Sequence, residues 1–481
     1  MHGQDNMDAN LSELKDIVGN QHVLLSKEEQ SGFVEDWRKR YHGVARAVVR
    51  PKSTAEVSKV LAWAYRNNVA IVPQGGNTGM LGGAIPSTRG DEIILSLTRL
   101  RTIRDVDVTN DAIVAEAGCT LLEIQEAAEK VNRLFPLSLG SEGTCQVGGN
   151  IATNAGGLEV VRYGPMRDLV LGLEVVLPDG EVLEQIYRLR KNNTGYDLKH
   201  LFIGAEGTLG IITAAALKLY PLPKTRVTAI AGLASPEDAL VVLGIMKEEF
   251  GARLSTIEIL SGLEMQLTTK HCGIIAPLQS EHGWYLLIEL TETIANDLLT
   301  EHFATALHKC IEDGVVEDAT VAQNNSQRAQ FWNLRHMVAE GNNAAGRVLS
   351  HDTSVPVSEG ARFIRRVEAA FAGSSDLKLV FVGHIGDGNI HAVAIFDRAK
   401  VPDEIFEEKA KEVSSIIFEI AIGLDGSISA EHGIGLSLRD RLKSYKQPRE
   451  WTLMRAIKSA FDPKGLLNPG KLFAPETSAD E

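Results

Sequence analysis

The residues of this chain best equipped for chemistry lie in two short stretches toward its C-terminal end. The first is His384-Ile385-Gly386-Asp387-Gly388-Asn389-Ile390-His391, flanked by the apolar runs Val380-Phe381-Val382 and Ala392-Val393-Ala394-Ile395. Asp-Gly between apolar runs signals a hairpin, and a two-residue turn at Asp387-Gly388 pairs Gly386 with Asn389, Ile385 with Ile390 and His384 with His391. Directly paired residues share one face with Cβ atoms roughly 5 Å apart, near enough for two imidazoles to reach one metal ion. Glu431-His432-Gly433 then adds a carboxylate and a third imidazole. Two histidines and a glutamate leave coordination positions open, as in catalytic rather than structural sites, and zinc, manganese and cobalt all accept such ligands. The plain alternative is an ordinary cross-strand pair of histidines and a solvated surface acid.

Such groups need a scaffold, and the N-terminal half alternates strand and helix signals as an α/β or α+β domain does. Ser53 with Glu56 forms a capping box for a helix whose apolar positions Val57, Val60, Leu61 and Ala64 recur at three and four residues. The strand Val69-Ala70-Ile71-Val72 follows and runs into Pro73-Gln74-Gly75-Gly76-Asn77-Thr78-Gly79-Met80-Leu81-Gly82-Gly83. Five glycines in eleven residues let the backbone approach a ligand closely, and consecutive amides there form a concavity suited to a pyrophosphate. It is not a P-loop, because Ala84 and Ile85 stand where Lys and Ser or Thr must follow, and it lacks the Gly-x-Gly-x-x-Gly of a Rossmann turn. A second cluster of glycines and short polar side chains runs from Gly140 to Gly157, and a third from Gly204 to Ile212. Three separated segments of like chemistry are better explained by one extended cofactor than by unrelated turns.

The 481 residues carry a formal net charge of -14 with 44% hydrophobic and 23% charged side chains, the make-up of an ordinary globular chain of two or three domains. That charge, without clustered Lys and Arg, argues against nucleic acid or an anionic membrane surface as partner. Residues 1–25 are polar and lack a basic n-region leading into an apolar h-region, and no apolar run is long enough to span a bilayer, so a cytoplasmic protein is expected. Cys119, Cys145, Cys272 and Cys310 lack Cys-x-x-Cys spacing and fit reduced thiols.

Taken together, residues 73–83, 140–157, Arg162-Tyr163-Gly164 with Leu177-Pro178-Asp179-Gly180, residues 204–213, residues 383–391, Glu431-His432-Gly433 and Asn468-Pro469-Gly470-Lys471 resemble the vanillyl-alcohol-oxidase-type (PCMH-type) FAD-binding flavoproteins. Within them the chain is most similar to the D-2-hydroxyglutarate and D-lactate dehydrogenase group, from Trp37 to Phe473. The resemblance implies an α+β fold: a two-lobed FAD domain over residues 1–222, a substrate or cap domain with an antiparallel sheet over 223–428, and a C-terminal segment, 429–481, returning to the FAD domain. Pro221-Leu222-Pro223-Lys224 reads as the linker into the cap, and a helix starting near Pro402 ends at Gly423 to Gly426.

By the same resemblance, FAD would be held by Gly75, Gly76, Asn77, Thr78, Gly79 and Met80, by Ser141, Gly148, Asn150, Thr153, Asn154 and Gly157, by Glu206 and Ile211, and by Asn468. Asn77 and Thr78 replace the histidine to which some relatives tether flavin, and although Cys145 lies near the second cluster, the cofactor is expected to be non-covalent. A divalent metal, expected to be zinc, would sit on His384, His391 and Glu431, and the two histidines would thereby border the substrate together with Asn389 and Arg335. Such an ion would acidify the substrate hydroxyl, and His432 would take the proton while a hydride leaves for flavin N5; a fourth metal ligand or an orienting role is the alternative for His432. Asn389 would touch substrate or cap the hairpin.

Arg335 falls where the family places a guanidinium on the substrate carboxylate, a surface helix charge being its plain alternative. Hydroxyglutarate dehydrogenases also place a hydroxyl residue one turn after that Arg and a Lys shortly before Asp-x-Ser-x-Pro; here Ala339 and Ser350 stand there, ahead of Asp352-Thr353-Ser354-Val355-Pro356. The expectation is an FAD- and metal-dependent dehydrogenase of a D-2-hydroxy acid, of D-2-hydroxyglutarate or D-lactate type, passing electrons to an electron-transfer flavoprotein, a quinone or a cytochrome. A metal-independent flavin oxidase of the same fold, or a flavin-binding protein that has lost catalysis, are the alternatives.

Overall fold

The computed structural model describes residues 11–474; the reading of residues 1–25 therefore falls partly outside the described residues. The chain forms two compact units, one from the described parts of Met1–Ala155, Pro165–Pro221 and Glu431–Glu481, the other from Gly156–Gly164 and Leu222–Ala430.

The first unit holds two main sheets and a two-stranded ribbon of Arg133–Leu134 with Tyr220–Pro221. In the smaller, Ala47–Val49, Ile93–Ser96 and Ile71–Gln74 run parallel, with Val23–Leu24 antiparallel at the edge. The crossover helix Thr54–Asn67 is capped by Ser53, whose Oγ accepts the Glu56 amide at 3.2 Å, and its stripe of Val57, Val60, Leu61 and Ala64 is buried with Trp63. The next strand starts at Ile71, two residues later than the sequence pattern suggests. The Val69 amide still bonds the Ala64 carbonyl as the chain leaves the helix through Asn68 at φ +52°. The larger sheet is antiparallel, in the order Ile103–Asp107, Ala112–Glu116, Ile211–Lys218, Val170–Val176, Val182–Gln185.

The second unit is built on a seven-stranded antiparallel sheet in the order Asp318–Val321, Thr225–Leu233, Trp284–Glu292, Leu254–Ser261, Leu377–His384, Asn389–Phe396, Arg347–Ser354. Side chains alternate between its faces. One face, with Ile257, Ile259, Phe381 and Ile390, packs on the helices Pro236–Phe250, Leu298–Glu312, Gly360–Phe371 and Asp403–Ile422. The last of these follows Pro402 and stops at Gly423, as its punctuation suggests. The other face carries Leu260, Leu287 and Val382 under the helix Asn325–His336, and between them a strip of polar side chains: Thr228, Glu289, Glu258, His384, His391 and Asp352. A face that is polar and buried at once is where a site belongs.

The hairpin that carries the histidines differs from the two-residue turn expected at Asp387-Gly388. Its strands end at His384 and resume at Asn389, so His384 pairs with Asn389, Gly383 with Ile390 and Val382 with His391. The wider turn has physical causes outside the hairpin. The amides of Asp387 and Gly388 both bond the His384 carbonyl, and Gly388 at φ +85° gives its own carbonyl to the Val355 amide while passing so close to Val355 that a Cβ would lie 2.1 Å from its carbonyl oxygen. A register change of two residues keeps every side chain on its face. His384 and His391 therefore remain neighbours as a diagonal pair, with ring centroids 5.8 Å apart and planes at 81°.

On the same polar side, Glu159 lies 4.0 Å from Arg226, its Oε2 without a hydrogen-bond partner. Burial pushes its carboxyl up to about 7, against the pull of Arg226 and with the help of Glu289. Between the ordinary glutamate range and about pH 7 the folded chain keeps a proton that the unfolded chain releases, so stability falls as pH rises through that window. Glu159→Gln, neutral throughout, is expected to melt with wild type near pH 5 and to gain up to about 3 kcal/mol over it by pH 8. A difference in melting temperature that stays flat across that range would contradict this assignment.

All four cysteines are unpaired. Among the described residues no helix is long and apolar enough to cross a membrane.

Candidate active site and flavin cradle

The three glycine-rich segments converge in the first unit around one cavity enclosing about 1030 Å³, open solvent at its mouth included. Its walls include residues 73–81 and 83–84, 145–146 with 148–150 and 152–153, 206–207 with 210–212, and His432, Gly435 and Asn468. Two side chains stitch these segments together. The Asn468 amide nitrogen donates to the carbonyls of Gly83 at 2.9 Å and Glu206 at 2.8 Å. The Glu206 carboxylate accepts the amides of Ile434 at 2.7 Å and Gly435 at 2.8 Å. Burial raises the Glu206 carboxyl and these two amides pull against it.

Close backbone approach explains the glycines. A Cβ on Gly76 would lie 2.0 Å from the Thr144 carbonyl oxygen, and one on Gly207 2.4 Å from the Pro73 ring. Three buried acceptors among the lining residues, Gln146 Oε1, Asn150 Oδ1 and Asn468 Oδ1, have no protein partner. Orphaned polar atoms in a roomy, glycine-walled cleft are what a hydrogen-bonding dinucleotide satisfies.

In the second unit, one carboxylate organises the histidine face. Glu258 is fully buried on the strand Leu254–Ser261; its Oε1 lies 2.5 Å from His384 Nδ1 and its Oε2 2.7 Å from Arg335 Nε. Burial alone would raise the Glu258 carboxyl, but the charges and hydrogen bonds of His384 and Arg335 prevail and hold it low. Asp352 stands beside His391, Oδ1 to Nδ1 at 3.7 Å, and accepts the Ala430 amide at 3.1 Å through Oδ2. Asn389 gives its amide nitrogen to Asp352 at 3.0 Å and to the Thr353 carbonyl at 2.8 Å, which places it as a brace of the turn.

Two stretches of the sequence match known domains: "FAD binding domain" over residues 45–185 and "FAD linked oxidases, C-terminal domain" over residues 222–472. The chain belongs to the FAD-linked oxidase family. Like others of this family it is an FAD-dependent oxidoreductase, and among similar proteins is the mitochondrial D-2-hydroxyglutarate dehydrogenase of Bos taurus, 37% identical over 94% of this chain and 81% of that protein. A D-2-hydroxyglutarate–pyruvate transhydrogenase of Saccharomyces cerevisiae is 34% identical over 96% of this chain and 93% of its own length. The fold is that of p-cresol methylhydroxylase, with a TM-score of 0.75 at 16% identity over 98% of both chains.

Of the residues singled out in the sequence, Gly75 to Met80, Gly148, Asn150, Thr153, Glu206, Ile211, Asn468 and His432 all border the cavity of this FAD-linked oxidase. Ser141, Asn154 and Gly157 do not. The Ser141 carbonyl caps the turn at Thr144 and Cys145, Asn154 Oδ1 accepts the Arg167 amide at 2.9 Å, and Gly157 belongs to the other unit. Sequence reading missed Gln146, a polar residue two positions before the glycine pair Gly148-Gly149. It also missed Glu258, whose signal was a lone acid between Ile257 and Ile259 in an apolar strand. Ala339 and Ser350 are both exposed.

Proposed function

We propose that this FAD-linked oxidase is a metal-dependent D-2-hydroxy acid dehydrogenase that oxidises the hydroxyl-bearing carbon of its substrate to the 2-oxo acid. The observation that carries the reading is the buried face on which Arg335, His384 and His391 lie together, a guanidinium for a carboxylate beside two imidazoles for a cation. Flavin, held non-covalently, supplies the two-electron acceptor, and a divalent cation, zinc by preference, supplies a Lewis acid for the hydroxyl. His384, His391 and Glu431 would be its ligands. Glu431 follows Ala430 directly, and the Ala430 amide is held by the Asp352 that flanks His391.

Arg335 would bind and orient the carboxylate next to the reacting carbon. His432 would receive the hydroxyl proton. Electrons would leave for an acceptor such as an electron-transfer flavoprotein or a quinone.

The names of the relatives support D-2-hydroxyglutarate as substrate class, whereas Ala339 and Ser350 remove two polar anchors for a distal carboxylate. Losing a charged partner costs about 2 kcal/mol or more, enough to favour a monocarboxylate such as D-lactate. Anaerobic bleaching of the bound flavin by D-2-hydroxyglutarate, D-lactate and their L forms, with and without EDTA, decides the matter. Fast bleaching by one D acid, abolished by EDTA, is expected. Bleaching that EDTA leaves untouched would remove the metal from the reading, and no bleaching by any acid would remove the substrate class.

A further inference from the structure

Glu258 has no place in the chemistry described so far, yet it is a charge buried on an otherwise uncharged strand. Its carboxylate is fully buried, on a strand whose neighbouring Ile257 and Ile259 point to the opposite face. Transferring a charge to such a place is costly, and replacing buried ion pairs with packed apolar residues is often neutral or stabilising, so fold stability alone is a weak reason for an acid here. What the acid does achieve is geometric. Each oxygen serves one partner, Oε1 the His384 Nδ1 at 2.5 Å and Oε2 the Arg335 Nε at 2.7 Å. Those partners lie 126 and 77 residues away in the chain.

We propose that Glu258 is a positioning residue that locks the metal-facing nitrogen of His384 and the substrate-facing end of Arg335 to one rigid carboxylate. The proposal rests on the preceding reading of the site and extends it to a residue that touches neither metal nor substrate. An imidazole that donates Nδ1–H to a carboxylate carries its lone pair on Nε2, so the bond selects the tautomer and ring orientation in which Nε2 is the ligand atom. On the other side, Glu258 engages only Nε of Arg335, leaving the forked Nη end of the guanidinium for bidentate binding of a carboxylate. The cation and the carboxylate of the substrate are thereby held in one frame, the geometry a hydroxy acid presents when its hydroxyl and carboxylate are bound together.

The test uses the full-length flavin-loaded protein, stripped with chelator and titrated with Zn²⁺ by calorimetry, as wild type, Glu258→Gln and His384→Ala. Wild type is expected to bind one Zn²⁺, His384→Ala to lose the site, and Glu258→Gln to bind 10- to 100-fold more weakly, roughly the range for residues that orient metal ligands. At saturating Zn²⁺, Glu258→Gln is also expected to show a raised KM for D-2-hydroxyglutarate or D-lactate with flavin content unchanged, a split that a purely structural role would not give. If wild type takes up no Zn²⁺, the reading of the site falls and the proposal with it. If wild type binds Zn²⁺ and Glu258→Gln matches it in both affinity and KM, the role of Glu258 alone is overturned. Should Glu258→Gln fail to fold, ¹⁵N-histidine spectra of zinc-free wild type, with the His384 signal assigned through His384→Gln, give the same decision. An Nδ1–H tautomer at His384 supports the proposal, and an Nε2–H tautomer overturns it.

Discussion

His384→Ala is expected to abolish turnover while the protein remains yellow. The side chain lies in the second unit, whereas the loops that cradle FAD belong to the first, so removing the imidazole leaves the flavin walls intact. On the proposed function, what is lost is one of two facing imidazoles and, with it, a ligand of the proposed cation. Lewis-acid stabilisation of a developing alkoxide contributes several kcal/mol, and at 1.36 kcal/mol per factor of ten its loss corresponds to a fall in kcat/KM on the order of 10³ or more. Glu431→Gln is expected to act in the same direction, because an amide oxygen is a neutral and weaker ligand. EDTA treatment of wild type should reproduce the phenotype, and added Zn²⁺, Mn²⁺ or Co²⁺ should restore wild type but not His384→Ala. The measurements are metal content by mass spectrometry, the flavin absorbance near 450 nm and steady-state rates on the same preparations. A chelated, metal-free wild type with full activity would defeat the metal assignment and return the histidines to the status of cross-strand neighbours.

How legible this was in the sequence depended on how far apart the deciding residues are. The flavin loops were readable because the cause is local: a glycine is needed wherever backbone passes backbone, as Gly76 passes the Thr144 carbonyl, and the glycines betray the loop without knowledge of the partner. Ser141 and Asn154, singled out by the same reading, do not line the cavity: short polar residues also serve turns, and Asn154 uses its side chain on the Arg167 amide. The histidine hairpin was half legible. Alternation put His384 and His391 on one face, which a shift of two residues preserves, but the turn itself was set by the Val355 segment pressing on Gly388, a contact between chain segments far apart in sequence. Glu258 was not legible at all. An acid in an apolar strand reads as a defect until its partners, on a distant helix and a distant strand, are seen to meet it.

His432→Gln should separate proton transfer from both cofactors. The His432 side chain borders the FAD cavity, is one quarter exposed, and has Nε2 3.8 Å from Glu431 Oε1, too long for a hydrogen bond. Its neighbour Gly433, at φ +83°, packs against the Glu206 carboxylate, which also fixes the amides of Ile434 and Gly435. The backbone that carries His432 is thus held by Glu206, and replacing the ring should leave that backbone and the flavin cavity in place. General bases contribute about 10²- to 10⁴-fold, so kcat is expected to fall within that range while FAD content, metal content and KM change little. Removal of a metal ligand gives a different pattern, with metal content falling in step with rate. If His432→Gln loses the ion, the imidazole is a fourth ligand; if its kcat stays within a factor of a few of wild type, the proton leaves by another route.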